Sequence, residues 1–278
     1  MGARRLLIIG HRGAAAMGPE NTAVAIRAAA AAGADLVEVD VRLSADGVPV
    51  LMHDARLERT TDGRGRVDGT AYAALRRLDA GGWFSPGFSG STIPAARETL
   101  RLVPERMGII FELKAAADPR ALRRGLLSAM KGAERTRLIL SSCRAELLEA
   151  VGSLGCRRAL VTRHGPDQAL ALAAGLRLDG WHLHYRHATP ARIQRAHAAG
   201  LHVYVWTVNS RALAARMAER GADGIFTDDP ALFVKLRVGP WSFGRRPVQS
   251  SSFRQPETSN QRPDRGLTRD KQHKASDT

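Results

Sequence analysis

Short runs rich in Val, Ile and Leu alternate along the chain with Ala-, Leu- and Arg-rich stretches whose apolar positions recur at helical spacing. Residues 6–10, 36–43, 109–114, 138–143, 157–162, 180–185, 202–207 and 224–228 read as eight strands. Residues 22–32, 119–132, 145–154, 190–199 and 210–220 read as helices between them, several followed by a Gly suited to the C-cap. Regular alternation of this kind marks βα units around a parallel sheet, and eight such units predict a (β/α)8 TIM barrel. A ninth run, 48–53, follows the second strand across Ser44-Ala45-Asp46-Gly47. An Asp-Gly turn this tight makes a hairpin, so the run must be antiparallel to its neighbour, and it is expected to lie over the barrel mouth.

Two segments break the alternation. Residues 54 to about 104 are rich in Gly, Ser, Thr and Arg, with one helical stretch near 72–78, and read as a small insertion capping the active-site face. Residues 239–278 hold eight Lys/Arg, four Asp/Glu and only two aliphatic side chains, Val248 and Leu267. So little apolar surface cannot offset the entropy of ordering, and a basic, disordered tail is expected after a barrel domain spanning 1–238.

The length of 278 residues suits one barrel, and an apolar fraction of 44% supplies its core. No window approaches the roughly 18 uninterrupted apolar residues of a membrane span. Two cysteines, Cys143 and Cys156, make neither a disulfide framework nor a zinc motif, which fits a reducing compartment. With no signal-peptide pattern at the N-terminus, a cytoplasmic location is expected. The formal charge of +15 admits a solvated cationic surface, steering of a small anion, or an anionic polymer or lipid partner. Zinc-finger spacing, an RNP-type aromatic motif and dense Lys/Arg runs are all missing, so no nucleic-acid partner is expected.

The candidate chemistry gathers at strand ends. Residues two apart on a strand share a face, so Glu38 and Asp40 project together, opposite Val37, Val39 and Val41. Glu112 and Lys114 repeat this at the end of a neighbouring strand. Adjacent carboxylates inside a barrel repel, and a divalent cation turns the repulsion into ligation. Three carboxylates, Glu38, Asp40 and Glu112, favour Mg²⁺ or Ca²⁺ over zinc, and a buried ion-pair network is the structural alternative. His11 follows the first strand and His53 ends the hairpin. Two imidazoles beside such a site suit a general acid and a general base. The pair His182 and His184 shares a face but lacks a third soft ligand nearby, so it reads as core rather than metal site. No Gly-x-x-x-x-Gly-Lys or complete Gly-x-Gly-x-x-Gly motif points to a nucleotide cofactor.

These residues resemble the glycerophosphodiester phosphodiesterase family. The resemblance is carried by His11-Arg12-Gly13 with Pro19-Glu20-Asn21-Thr22, and by Glu38-Val39-Asp40-Val41 running through Asp46-Gly47 to His53-Asp54. Arg59-Thr60-Thr61-Asp62-Gly63-Arg64-Gly65, Phe111-Glu112-Leu113-Lys114, Val205-Trp206-Thr207-Val208-Asn209 and the run Gly221 to Asp228 extend it, covering about residues 6–236. Two departures are visible: Ala95-Ala96 stands where the family usually has Thr-Leu, and Cys143 where Phe is usual.

The resemblance implies hydrolysis of a small glycerophosphodiester to sn-glycerol 3-phosphate and an alcohol, a step of lipid and glycerol metabolism. It implies that Glu38, Asp40 and Glu112 hold the cation, that Arg12 and Lys114 neutralise the phosphate, and that His11 and His53 exchange protons. Trp206 is placed to pack on the glycerol or alcohol moiety, though an aromatic there serves core packing equally well. Attack by the glycerol 2-hydroxyl through a cyclic phosphate is the family's expected route. Two rival readings stand beside this one. The first is lysophospholipase D-type cleavage by the same site, and the second a non-catalytic barrel binding anionic surfaces.

Overall fold

The computed structural model describes residues 5–163 and 166–236, all within one compact unit. The expected disorder of 239–278 therefore falls outside the described residues.

Eight parallel strands close into a barrel. They are β1 (Leu7–Gly10), β2 (Leu36–Leu43), β4 (Gly108–Leu113), β5 (Leu138–Ser142), β6 (Arg157–Thr162), β7 (Gly180–His184), β8 (His202–Trp206) and β9 (Gly224–Thr227). Each pairs in parallel with its neighbours in the order β1-β9-β8-β7-β6-β5-β4-β2, and β1 pairing with β2 closes the ring. β3 (Pro49–Leu51) is the added antiparallel strand, with Val41 opposite Leu51 and Leu43 opposite Pro49. The predicted (β/α)8 barrel and its hairpin are what the chain forms.

Outside the ring lie α1 (Ala23–Ala31), α3 (Ala96–Leu102), α4 (Pro119–Ala129), α5 (Ala145–Ala150), α6 (Pro166–Gly175), α7 (Pro190–Ala198) and α8 (Arg211–Glu219), with the short α2 (Tyr72–Leu75) in the insertion. Their starts are written into the sequence: Thr22, Asp118, Thr189 and Ser210 each accept a first-turn amide hydrogen bond on their side chain. Pro119 and Pro190 occupy the first turn, where a missing N–H costs nothing.

Strand alternation divides the core in two. Val37, Val39, Val41, Ile109, Phe111 and Leu113 face outward and pack against helix residues such as Ile26, Leu122 and Leu126. Leu7, Ile9, Leu36, Ile110, Ile139, Ala159, Tyr204 and Phe226 face inward and fill the lower barrel. Above that apolar floor the same inward stripe continues as Glu38, Asp40 and Glu112, with Asp40 in register with Glu112 across the β2–β4 pair. None of the described helices is long and apolar enough to cross a membrane.

Two expectations need correction. The insertion ends near residue 95, because Ala96–Leu102 is a helix of the barrel itself, with Ala96 and Thr99 buried. Its seven residues and two arginines give too short a pattern to separate from the polar stretch before it. The insertion has its own small core of Leu57, Val67, Leu75, Ala80 and Ile93 built on Val50 and Met52. The hairpin, in turn, leans outward rather than covering the mouth. A Cβ on Gly125 of α4 would lie 2.7 Å from the Gly47 carbonyl oxygen and 3.0 Å from Pro49, so the turn rests on the backbone of α4 at a position without a side chain. Only the end of the hairpin, at His53, returns to the mouth.

That contact yields a prediction. Gly125→Val must push the hairpin off α4, and overpacking of this kind costs about 1–3 kcal/mol. Urea denaturation is expected to show the loss, and an unchanged midpoint would mean the close approach is unimportant.

Candidate active site

A cavity of about 370 Å³ opens at the C-terminal ends of the barrel strands, where barrel enzymes build their sites. His11, Arg12, Glu38, Asp40, His53, Glu112, Lys114 and Trp206 all line it. Every residue singled out from the sequence as a candidate ligand, proton carrier or substrate contact is thus brought to one place.

The chain turns sharply after β1. Arg12 lies at φ +51° and Gly13 at φ +90°, and a side chain on Gly13 would strike the backbone of Ala25 at 2.6 Å. A non-glycine residue in the left-handed region costs of order 1–3 kcal/mol, and the surroundings here offset it. The Arg12 amide donates to Glu38 Oε2 at 2.9 Å, and the Gly13 amide to the Glu38 carbonyl at 2.9 Å. Asn21, at φ +59°, donates from Nδ2 to Asp40 Oδ2 at 2.8 Å and accepts the Asp40 amide at 2.9 Å. The loop after β1 is therefore moulded onto the two carboxylates of β2.

Ligand oxygens of Glu38, Asp40 and Glu112 lie within 4.8 Å of one another. Lys114 Nζ pairs with Asp40 Oδ1 at 2.8 Å and also with Glu112, while Arg12 Nε lies 3.5 Å from Asp40 Oδ2. Burial works against the Asp40 charge, but Lys114 and Arg12 overcome it and hold the carboxyl below its usual range. Among the described residues no Lys or Arg forms an ion pair with Glu38. Burial, then the nearby Asp40 charge, pushes it up to about 8. Its Oε1 is buried without a hydrogen-bond partner. An orphaned carboxylate oxygen beside two others is what a hard divalent cation would satisfy, so this donor set fits Mg²⁺ or Ca²⁺.

Each histidine is held by a carboxylate. His11 Nδ1 lies 2.6 Å from Asp228 Oδ1, and Asn209 Nδ2 donates to Asp228 Oδ2 at 2.5 Å. His53 Nδ1 lies 2.6 Å from Asp54 Oδ1, and Arg59 Nε donates to Asp54 Oδ2 at 2.6 Å. The two environments push in opposite directions. Burial disfavours charge on His11, but the Asp228 bond and the Glu38 charge outweigh it and raise its pKa. On His53, burial and the nearby Arg12 and Lys114 outweigh Asp40 and Asp54 and lower it. One imidazole is biased toward the proton and the other against it.

Arg59 also holds Glu20 through two bonds, 2.9 Å and 2.7 Å, and Glu20 accepts from Arg12 at 2.8 Å. An ionic chain thus runs from Asp54 beside His53, through Arg59 and Glu20, to Arg12. Glu20, Asn21, Asp54, Arg59, Asn209 and Asp228 stood inside the resembling motifs, but sequence reasoning gave them no role. Their partners are up to 217 residues away, as with His11 and Asp228, and strand periodicity cannot reach that far.

Trp206 forms part of the cavity wall, with its Nε1 donating to the His182 carbonyl at 3.1 Å. His182 points inward between Tyr204 and Phe226, with ring centroids 5.4 Å and 5.0 Å away. It belongs to the floor of the site, as its reading as a core residue expected, and is not part of the acidic cluster. Burial alone drives its pKa down to about 3.

A parallel barrel with an acidic, oxygen-rich site flanked by two carboxylate-held histidines and two cations fits an enzyme acting on a phosphate ester. Comparison with known proteins narrows that class. Residues 11–232 match the glycerophosphoryl diester phosphodiesterase family. A glycerophosphodiester phosphodiesterase of Caldanaerobacter subterraneus is 32% identical over 240 residues, covering 84% of this chain and 98% of that one. The structure of an Oleispira antarctica phosphodiesterase in complex with the product sn-glycerol-3-phosphate superposes with a TM-score of 0.77 at 30% identity, covering 82% of this chain and 94% of that one. The glycerophosphodiester phosphodiesterase from Agrobacterium tumefaciens gives 0.72 at 30% identity, covering 83% and 99%. This chain belongs to the glycerophosphodiester phosphodiesterase family.

The neutral floor histidine makes a prediction about acid stability. Its folded pKa of about 3 lies below the ordinary 6.5, so the unfolded chain binds the proton first as pH falls. The stability His182 contributes is complete above about 6.5 and is lost progressively toward 3. Between pH 7 and 5, wild type is expected to lose about 2 kcal/mol more than His182→Phe. Urea midpoints at the two pH values measure this, and parallel losses would refute it.

Proposed function

We propose that this chain hydrolyses small glycerophosphodiesters to sn-glycerol 3-phosphate and an alcohol, using Mg²⁺ or Ca²⁺ held by Glu38, Asp40 and Glu112. The observation that carries this reading is the cluster of three carboxylates around the unpartnered Glu38 Oε1, with a carboxylate-held histidine on either flank. Family membership and the product-bound relative support it.

A bound cation supplies Lewis-acid polarisation of a phosphate oxygen. The rest is work for the chain itself. Arg12 and Lys114 face the same cavity and neutralise charge that builds on the phosphoryl oxygens. His53, biased toward the neutral form, accepts the proton of the attacking hydroxyl. His11, biased toward the charged form, donates to the departing alcohol oxygen. Asp228 and Asp54 fix the imidazoles so that Nε2 of each is left for these transfers. When the glycerol 2-hydroxyl is the nucleophile, the same pair in exchanged roles opens the cyclic phosphate with water. Trp206 offers an apolar face to the glycerol or alcohol carbons. Two free thiols, Cys143 and Cys156, support placing the protein in the cytoplasm.

The test is release of glycerol phosphate from a panel of glycerophosphodiesters, with a lysophospholipid included to detect lipid-type cleavage. His11→Ala and His53→Ala are each expected to lower kcat by about 10²–10⁴ while leaving the circular dichroism spectrum intact. A mutant with near-normal turnover removes that histidine from the mechanism.

Chelation is expected to abolish turnover, and Mg²⁺ or Ca²⁺ to restore it. Glu38→Gln should lose activity yet leave metal-free stability unchanged or higher, because it replaces a carboxyl whose ionisation burial and the nearby Asp40 already disfavour. Activity that persists in extensively chelated protein would refute the cation's role.

A further inference from the structure

The wall of the cavity facing the carboxylates differs in kind from the wall that carries them. The ends of β1, β2 and β4 supply His11, Arg12, Glu38, Asp40, Glu112 and Lys114. The ends of β5, β6, β8 and β9 supply Cys143, Val161, Arg163, Trp206, Thr207 and Phe226. Among the described residues lining that second wall none is acidic, and Arg163 is the one charged group.

Both cations of the first wall are already matched by carboxylates, Arg12 by Glu20 and Asp40, and Lys114 by Asp40 and Glu112. Arg163 has no acidic partner among the described residues. Its guanidinium carbon instead lies 5.7 Å from the centroid of the Trp206 ring. The ring is itself anchored, through its bond to the His182 carbonyl and an edge contact with His184 at 5.0 Å. A cation–π contact with a fixed aromatic holds the guanidinium at this wall while leaving its N–H groups free to bond. A fork of this kind matches an oxyanion.

We propose that Arg163 is a specificity site for the alcohol half of the substrate, selecting diesters whose alcohol carries an oxyanion, a carboxylate or a second phosphate. The inference rests on the proposed hydrolysis of glycerophosphodiesters. The glycerol half has no charge beyond the scissile phosphate, so an anion that pairs with Arg163 comes from the alcohol. A quaternary or primary ammonium approaching the Trp206 ring would meet the like charge of Arg163 beside it. Cys143, a small side chain on the same wall, leaves room for the added group.

The discriminating pair is sn-glycero-3-phosphoserine and sn-glycero-3-phosphoethanolamine, which differ by one carboxylate. A third substrate, bis(glycerophospho)glycerol, carries a second phosphate and separates the two sources of the anion. Wild type is expected to favour the serine diester over the ethanolamine diester in kcat/KM by about ten-fold or more, the worth of a hydrogen-bonded charge pair. Arg163→Gln should bring that ratio close to one, and Arg163→Glu should invert it. Whichever anionic substrate loses more on Arg163→Gln identifies the oxyanion the site takes. A wild-type preference for the ethanolamine diester overturns the proposal. So does an Arg163→Gln variant that slows every diester equally, since that would place Arg163 on the scissile phosphate. Absence of turnover on all three and on glycerophosphocholine would instead refute the proposed hydrolysis, and the subsite with it.

Discussion

Three carboxylates gathered within 4.8 Å above an apolar barrel floor are the constraint around which this protein is arranged. Glu38 and Asp40 are almost completely buried, and removing an ion from water costs several kcal/mol even after relaxation. The chain compensates from three directions. Lys114 and Arg12 bring positive charge to Asp40, Asn21 donates a hydrogen bond to its carboxylate, and the loop after β1 gives the Arg12 backbone amide to Glu38 Oε2. The compensation is incomplete at Glu38 Oε1. Stability and the proposed function thus meet at one atom, because the cation proposed to serve the reaction is what would satisfy that oxygen.

The two histidines extend this logic outward. They arrive from different places, one on the turn after β1 and the other at the end of a hairpin propped on α4. Each takes its character from local surroundings: His11 from Asp228 and Glu38, His53 from burial beside Arg12 and Lys114. The insertion links the two sides of the mouth, since Arg59 grips both Asp54 and Glu20. Below them His182 stays neutral, so the floor adds no further charge to a site already crowded with it. On the opposite wall Arg163 is the exception, a cation matched by an aromatic ring rather than a carboxylate.

Much of this was legible in the residues alone. Period-two alternation placed Glu38 and Asp40 on one face, and strand ends placed them at the mouth. Asp46-Gly47 announced the hairpin, and the apolar spacing of 22–32, 119–132, 190–199 and 210–220 announced helices that the chain forms. Ala96–Leu102 was missed because a seven-residue helix with two arginines carries too weak a period. The outward lean of the hairpin was missed because it depends on a gap at Gly125, some eighty residues further along the chain.

The sequence by itself therefore determined the barrel, the acidic stripe and the identity of the candidate acid, base and ligands, because these follow from periodicity and from residue chemistry repeated at short range. Only the tertiary structure decided which groups share a charge environment. Closing the ring brings Asp228 to His11 and sets Arg163 across the cavity from Glu38, and the folded insertion carries Arg59 to Glu20. Such pairings depend on distances in space between residues far apart in sequence, and electrostatic interaction is governed by those distances and by burial. The directions in which His11, His53, Glu38 and His182 shift are properties of the closed barrel.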